Sequence, residues 1–315
     1  MPIKDFKPYE SIEAKFVVKF KKPVQEYAKG YAFQIRIGDS SGEVMLKYWG
    51  SANKPEVQKL YDSIKKDDVI LVRGTTTVYN NRLEINVDKE GLIKVLTKDE
   101  YDLKEFIKFT EKDVEHMFKE LMDLAESVKD EDLKKILDVF INDFDFIKAF
   151  KNHPAAMYKH HGWIGGLLEH TLNVTKICDF IATVHPEINR DLVVTGAILH
   201  DIGKIKELEM KTSIKTSREG MLLGHTVIGF SEVAKRLEKV DVPENLKLKV
   251  IHIVISHHGK IEYGTPKEPA FPEALAVYFA DDMDAKLTEM ITHKKTAETE
   301  DDYVYKPDFG LIYLK

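Results

Sequence analysis

The sequence predicts a multidomain α and β protein, with a small all-β module first and an all-α domain after it. Three observations support this. The hydrophobic period changes from two residues to 3.6 near Lys98. The 315 residues are too many for one ordinary domain and comfortable for two. Six residues of metal-ligating type, His170, His200-Asp201, His225, His257 and Asp281, follow one another in the helical part at steps of 30, 24, 32 and 24 residues. Such steps place each on a different helix.

The β module is read strand by strand. Ile12–Phe20, Tyr31–Ile37 and Glu43–Trp49 alternate apolar and polar residues, the last after the turn Asp39-Ser40-Ser41-Gly42. In Lys54–Ile64, Val57, Leu60, Tyr61 and Ile64 share one helical face. Val69–Val78 and Leu83–Val87 follow, joined near Asn80-Asn81, residues that tolerate positive φ in a tight hairpin. Three strands, a helix and two strands is the order of a five-stranded OB-fold barrel, expected over residues 1–97. That fold commonly binds single-stranded nucleic acid on the face of strands 2 and 3. Tyr31, Phe33, Ile35 and Ile37 oppose Gln34 and Arg36 in strand 2, and Val44, Leu46 and Tyr48 oppose Met45, Lys47 and Trp49 in strand 3. Gln34, Arg36, Lys47 and Trp49 therefore form a cationic and aromatic face suited to stacked bases and phosphates. The competing reading has Trp49 capping the barrel core and the charges facing water.

Charge divides the chain further. Residues 1–97 carry 17 Lys+Arg against 13 Asp+Glu, residues 98–150 carry 9 against 16, and residues 151–315 carry 21 against 24. A basic N-terminal module on an otherwise acidic protein is compatible with a polyanion partner. Residues 98–150 read as an acidic helical linker, with amphipathic helices Glu111–Val128 and Asp132–Phe150, packing on a catalytic domain at 151–295. In that domain the expected helices are Ile164–Ala182, Arg190–Asp201 (stopped by Gly203), His225–Val240, Leu246–His258 and Pro272–Leu287. Residues 296–315 read as a tail, for docking or merely frayed.

The bulk composition excludes several classes. With 43% hydrophobic and 32% charged residues, the chain has enough apolar content for a core and a soluble surface. No stretch approaches the ~20 apolar residues of a membrane span, so no membrane partner is expected. The start, MPIKDFKPYE, lacks the apolar run of a secretory signal. The lone Cys178 lies among Val174, Ile177 and Ile181 at helical spacing and reads as a buried filler in a reducing, cytoplasmic compartment.

The chemistry centres on Ile198-Leu199-His200-Asp201-Ile202-Gly203-Lys204. An adjacent His-Asp pair ending an apolar helix is peculiar as structure, because a core rejects an unpaired carboxylate. Metal coordination supplies the compensating charge: His200 as a terminal ligand, Asp201 as a bridge, and Lys204 one turn on as a point charge for phosphate oxygens. Taken singly, His170, His225 and His257 have modest claims, since a histidine among leucines is usually a hydrogen-bonded core residue. Together, four imidazoles and two carboxylates suit a pair of divalent ions. Neighbouring helical residues diverge by about 100°, so His257 is assigned to metal and His258 to the substrate or leaving oxygen. The face through Ala274, Val277 and Tyr278 selects Asp281 over Asp282, with Asp284 behind it. The imidazole-rich set favours Mn²⁺ over Mg²⁺, with Co²⁺ and Fe also compatible.

This set, H…HD…H…H…D, resembles the HD-domain phosphohydrolases. The stretches Pro154–His161 (PAA with a following HH), GGLLEHT, AILHDIGK, LLGH, SHHGKIEYGTPKEP and FADDMDAK further resemble, in order, the YhaM-type 3′→5′ exoribonucleases, over about residues 10–290 in architecture. The resemblance implies an OB domain before an HD domain, metal roles for His170, His200, Asp201, His225, His257 and Asp281, and a phosphate-facing Lys204. It implies substrate roles for His160 and His161, with a structural role in the loop as the alternative, and Lys260, Glu262 and Lys267 lining the entry. His258 or His161 would protonate the leaving group. The implied activity is hydrolysis of single-stranded RNA, with ssDNA also open, from the 3′ end to nucleoside 5′-monophosphates by a two-metal-activated water. A homo-oligomer is compatible with the sequence.

Two other readings compete. A phosphohydrolase of nucleotides or cyclic dinucleotides shares the centre, but has no need of a strand-binding module. A non-catalytic single-stranded nucleic-acid-binding factor would retain the HD domain as a relic, yet every ligand position is filled.

Overall fold

Alternation in the first hundred residues becomes six strands and one helix in the computed structural model, which describes residues 2–88, 90–157, 161–297 and 299–315. Contacts divide the chain into two units, Met1–Lys108 with Met210–Ser213, and Phe109–Glu209 with Ile214–Lys315.

The first unit contains β1 (Ser11–Tyr27), β2 (Gly30–Gly38), β3 (Glu43–Trp49), α1 (Lys54–Ser63), β4 (Val69–Tyr79), β5 (Arg82–Val87) and β6 (Leu92–Val95). Pairings β1–β2, β2–β3, β4–β5 and β1–β4 are antiparallel and β3–β5 is parallel, so each of these five strands has two neighbours. The expected alternation holds: Phe33, Ile35, Ile37, Val44 and Leu46 enter the core with Phe16, Ile70 and Ile85. Asn80 and Asn81 have φ of 49° and 58°, the left-handed pair of a tight hairpin. Two features depart from expectation. β1 runs past Phe20 to Tyr27, because register shifts after Val18 and Lys22 let it follow β2 to its end. A sixth strand, β6, pairs with the Ile70–Arg73 half of β4 that β5 leaves uncovered.

The second unit comprises α2 (Val114–Glu126), α3 (Glu131–Ile141), α4 (Phe144–Asn152), α5 (Gly166–Val184), α6 (Arg190–Leu199), α7 (Lys204–Glu207), β7 (Leu208–Met210), β8 (Ile214–Thr216), α8 (Arg218–Leu237), α9 (Glu244–Ser256), α10 (Pro272–Lys295), β9 (Tyr303–Lys306) and β10 (Gly310–Tyr313). The single helix expected over Asp132–Phe150 is two, because the Asp143 carboxylate accepts from the Phe146 N–H and starts a new one. Asp113 and Asp130 cap α2 and α3 in the same way.

The boundary also falls elsewhere than at residue 97. Phe106 packs on Val17 and Val69 of the first unit. Met117, Leu121, Leu133, Ile136 and Phe140 of the expected linker share one core with Leu167, Leu172, Val193 and Ala197. Residues 98–150 are thus split between the units, and α2–α4 belong to the helical core. The expected tail folds into the antiparallel hairpin β9–β10, with Ile312 buried. Cys178 is fully buried, and burial pushes its thiol pKa up. Among the described residues, no helix is long and apolar enough to cross a membrane.

Candidate functional site

The site is built where helices end. α6 is apolar throughout, with Leu192, Val193, Val194, Ala197 and Leu199 buried, and stops at Leu199. His200 caps it. Its Nδ1 lies 2.6 Å from the Ala197 carbonyl, which can only accept, so Nδ1 carries the proton and the Nε2 lone pair is left free. α9 repeats the device: His257 caps it and Nδ1 donates to the Val254 carbonyl at 2.6 Å. His170, in the first turns of α5, donates from Nδ1 to Asp284 Oδ2 at 2.7 Å. His225 follows Gly224, whose φ of 71° breaks α8, and its Nδ1 lies 3.0 Å from Glu207 Oε1. Every Nδ1 is held from outside, so the four Nε2 atoms converge.

They converge on Asp201. Its Oδ2 lies 3.3 Å from His170 Nε2 and 3.5 Å from His200 Nε2, with Asp281 Oδ1 3.1 Å from His170 Nε2. Its Oδ1 lies 3.6 Å from both His225 Nε2 and His257 Nε2. One carboxylate therefore faces two nitrogen sets. Lys204 Nζ is 2.6 Å from Oδ2. No well-directed hydrogen bond reaches either Asp201 oxygen or His257 Nε2 among the described residues, and all are buried. A buried carboxylate that faces converging imidazole nitrogens, its charge only partly met by Lys204, fits divalent cations.

The electrostatics agree. Burial opposes the Asp201 charge, but Lys204, His200 and His170 outweigh it and hold the carboxyl far below its usual range. Asp281 and Asp284 are likewise held low against burial, chiefly by His170 and by His161, respectively. Burial lowers His200, His257 and His258 toward the neutral form that ligates metal. His170 is the exception: against burial, contacts with Asp201, Asp281 and Asp284 raise it well above its ordinary value. Lys204 is raised by Asp201 despite burial and stays charged.

Several expectations need correction. The expected divergence of His257 and His258 does not apply, because α9 ends at Ser256 and both follow it. His258 Nε2 lies 3.0 Å from His225 Nε2, and His225, His257 and His258 together could hold one ion. His258 thus lies among the candidate ligands rather than apart from them. His161 is also not in the cavity. It is 1% exposed, and its Nε2 lies 2.9 Å from Asp284 Oδ2, behind His170. His160 lies outside the described residues. Lys260 is exposed and paired with Glu262 at 3.4 Å, and the exposed Lys267 presents only its carbonyl, to Thr265 Oγ1. Neither lysine lines the cavity over the centre; Tyr263 of the same loop does. Gly203 is helical (φ −62°) and stops nothing; a Cβ there would overlap the backbone of His225 and Gly229, so it permits α8 to approach. Gly165 has φ of 84°, and Gly166 abuts the His161 backbone, which a Cβ there would overlap.

Sequence reasoning missed Glu207, Asn173, Tyr263 and Met157. Asn173 Nδ2 donates to Asp284 Oδ1 at 2.9 Å. Glu207, one turn after Lys204, was visible as an acid closing a short amphipathic stretch, but its partner His225 lies across the fold.

In the first unit, a broad groove of about 1000 Å³ is lined by Lys22, Gln34, Arg36, Lys47, Tyr79 and Arg82, among others. Arg36 is exposed as expected. Lys47 is not free: Glu84 lies 2.5 Å away, and its ammonium lies 4.3 Å from the Tyr79 ring centre. Trp49 is half-buried, edge-on to Tyr27 and donating to Asn86 Oδ1 at 2.7 Å. The parallel β3–β5 pairing brings Glu84 and Asn86 there, and Tyr79 is the more exposed aromatic.

Comparison with known proteins assigns both units. Residues 17–96 match the model of an OB-fold nucleic acid binding domain and residues 167–286 that of an HD domain. The chain joins an OB-fold nucleic acid binding domain to an HD domain, a metal-dependent phosphohydrolase type. Several solved structures resemble about a third of the chain. They include the p204 HINb domain (13% identity, TM-score 0.24, 30% of this chain and 46% of that one). They also include Schizosaccharomyces pombe Pot1pC bound to ssDNA (10%, 0.24, 32% and 88%). A third is the OB domain of Ta0387 from Thermoplasma acidophilum (19%, 0.22, 31% and 86%). The chain thus spans about half the length of the first of these.

Proposed function

We propose that this protein is a 3′→5′ exoribonuclease of the YhaM type, removing nucleoside 5′-monophosphates from single-stranded RNA. The observation that carries the reading is Asp201, a buried carboxylate facing two nitrogen sets beside a buried lysine, in a chain that also holds an OB domain. His170, His200, Asp201 Oδ2 and Asp281 would hold one divalent ion, and Asp201 Oδ1, His225, His257 and His258 the other. Imidazole-rich donors favour Mn²⁺. Such a pair supplies Lewis acidity and acidifies water near neutral pH.

The chain's own residues do the remaining work. Lys204 stays protonated and faces phosphoryl oxygens as their charge builds. Glu207 and Asp284 fix the rings of His225 and His170. A water oxygen bonds to the terminal phosphorus, the bond to the preceding 3′ oxygen breaks, and that oxygen takes up a proton. The OB domain, through Arg36, Lys22 and Tyr79, holds the strand upstream and raises the local concentration of its end.

The test is product analysis on 5′-labelled single-stranded RNA and DNA with Mn²⁺, for the native protein and Asp201→Asn. A descending ladder with 5′-monophosphates, lost with chelator and in the variant, is expected. Cleavage of mononucleotides or cyclic dinucleotides with intact oligomers would overturn the exonuclease reading.

A further inference from the structure

The ligand cluster accounts for the phosphate of a substrate, but only for one side of the cavity above it. That cavity, about 580 Å³, is within the range of small-molecule sites. Beyond the wall of Lys204, Glu207, His225, His258 and Asp281, the lining is mostly apolar or aromatic, Met157, Tyr263 and Tyr278 among it, with Thr216 and Asp282 as its other polar members. A simple phosphate ester uses only the first wall.

The two tyrosines are placed by the centre itself. Tyr278 precedes Asp281 by nearly one turn of α10, so it shares the ligand's face. Gly259, with φ of 78°, lies against its ring so closely that a Cβ would overlap the aromatic carbons. Tyr263 ends a short helical turn closed by Gly264 (φ 88°), and its carbonyl lies 3.3 Å from His258 Nδ1. The Tyr263 backbone is thus tied to a candidate ligand while its ring stays 54% exposed. Burial gives that ring little reason to stand at the rim of a polar site.

We propose that Tyr263, in a cavity that Tyr278 also lines, is the stacking platform for the terminal base, so that the cavity takes one nucleotide with its phosphate on the ligand wall. This rests on the exonuclease reading. Most of the remaining lining is aromatic and methyl surface, which stacks on any base, and the Asp282 carboxylate on it is paired with Lys286 at 2.8 Å, so trimming is sequence-tolerant.

The test compares binding of 5′-AMP and ribose 5-phosphate to the Mn²⁺-loaded full chain by calorimetry, with Tyr263→Ala and Tyr263→Phe alongside. The base should make AMP bind about 5- to 150-fold more tightly than the base-free sugar phosphate. Tyr263→Ala should collapse that ratio toward one, and Tyr263→Phe should keep most of it. Thermal midpoints check that each variant folds. Equal affinities in the native protein, or an undiminished ratio in Tyr263→Ala, would overturn the platform. Failure of the exonuclease reading shows separately, as no 5′-monophosphate released from RNA by the native protein.

Discussion

Replacing Asp201 by Asn should remove the response to metal on both sides of the centre, whereas Asp281→Asn should remove it on one. Asp201 lies 3.3–3.6 Å from Nε2 of His170, His200, His225 and His257, and Asp281 approaches only His170 and His200, at 3.1 and 4.0 Å. A bound ion at a hundred times its dissociation constant stabilises the fold by about 2.7 kcal/mol. For a helical unit of about 200 residues, each kcal/mol raises the midpoint by about 2–4 °C. Each saturated ion is therefore worth about 5–11 °C. Thermal unfolding with and without Mn²⁺, each variant referred to its own metal-free midpoint, measures this. The native protein should show up to twice the single-ion shift, Asp281→Asn about half of the native value, and Asp201→Asn almost none. A full native shift in Asp201→Asn, or its complete loss in Asp281→Asn, would refute the shared-carboxylate geometry.

Other predictions follow from the same observations. His170 is held protonated in the metal-free site by Asp201, Asp281 and Asp284, so metal uptake should release its Nε2 proton and affinity should rise about tenfold per pH unit. Because its folded pKa is raised, its contribution to metal-free stability is present below its ordinary value and lost as pH rises through the elevated one. Calorimetry in buffers of different ionisation heat reads the proton, and its absence would contradict the assignment. Gly203→Ala should lower the thermal midpoint, costing about 1–3 kcal/mol through the overlap with His225 and Gly229; an unchanged midpoint would mean α8 gives way. On the OB face, Arg36→Ala should reduce the salt slope of oligonucleotide binding by about one. Lys47→Ala should reduce it less, since Glu84 already neutralises Lys47, and equal slopes would count against that difference.

What the sequence disclosed follows from how far each signal reaches. Alternation is local, so the buried set Phe33, Ile35, Ile37, Val44 and Leu46 was legible. The neutralisation of Lys47 was not, because Glu84 arrives through a parallel pairing of distant strands. The convergence of the candidate ligands was legible because burial of His200 and Asp201 contradicts ordinary core chemistry. The role of His258 was hidden by assuming that a helix continues through it. One residue of helix-end placement decides whether neighbours diverge or share an ion, and sequence leaves helix ends uncertain by more than that. Which of its two readings His161 favours was hidden for a related reason: its partner Asp284 is far away in the chain, and only the fold shows it facing inward.

The helix ends also explain which acids the centre needs. The last carbonyls of a helix have no partner within it and carry partial negative charge. His200 and His257 use them, donating to Ala197 and Val254, and each places its free Nε2 at the negative end of a helix, where a cation is favoured. His170 and His225 lie near the starts of their helical segments, where carbonyls are already committed. They must take side-chain acceptors instead, Asp284 and Glu207. A buried acceptor carboxylate then needs its own donors, and Asn173 and His161 supply them to Asp284. His161 adopts a φ of 54°, a conformation costly for a non-glycine residue, in the loop that delivers it there. Its burial follows from the orientation required of His170, which it reaches through Asp284.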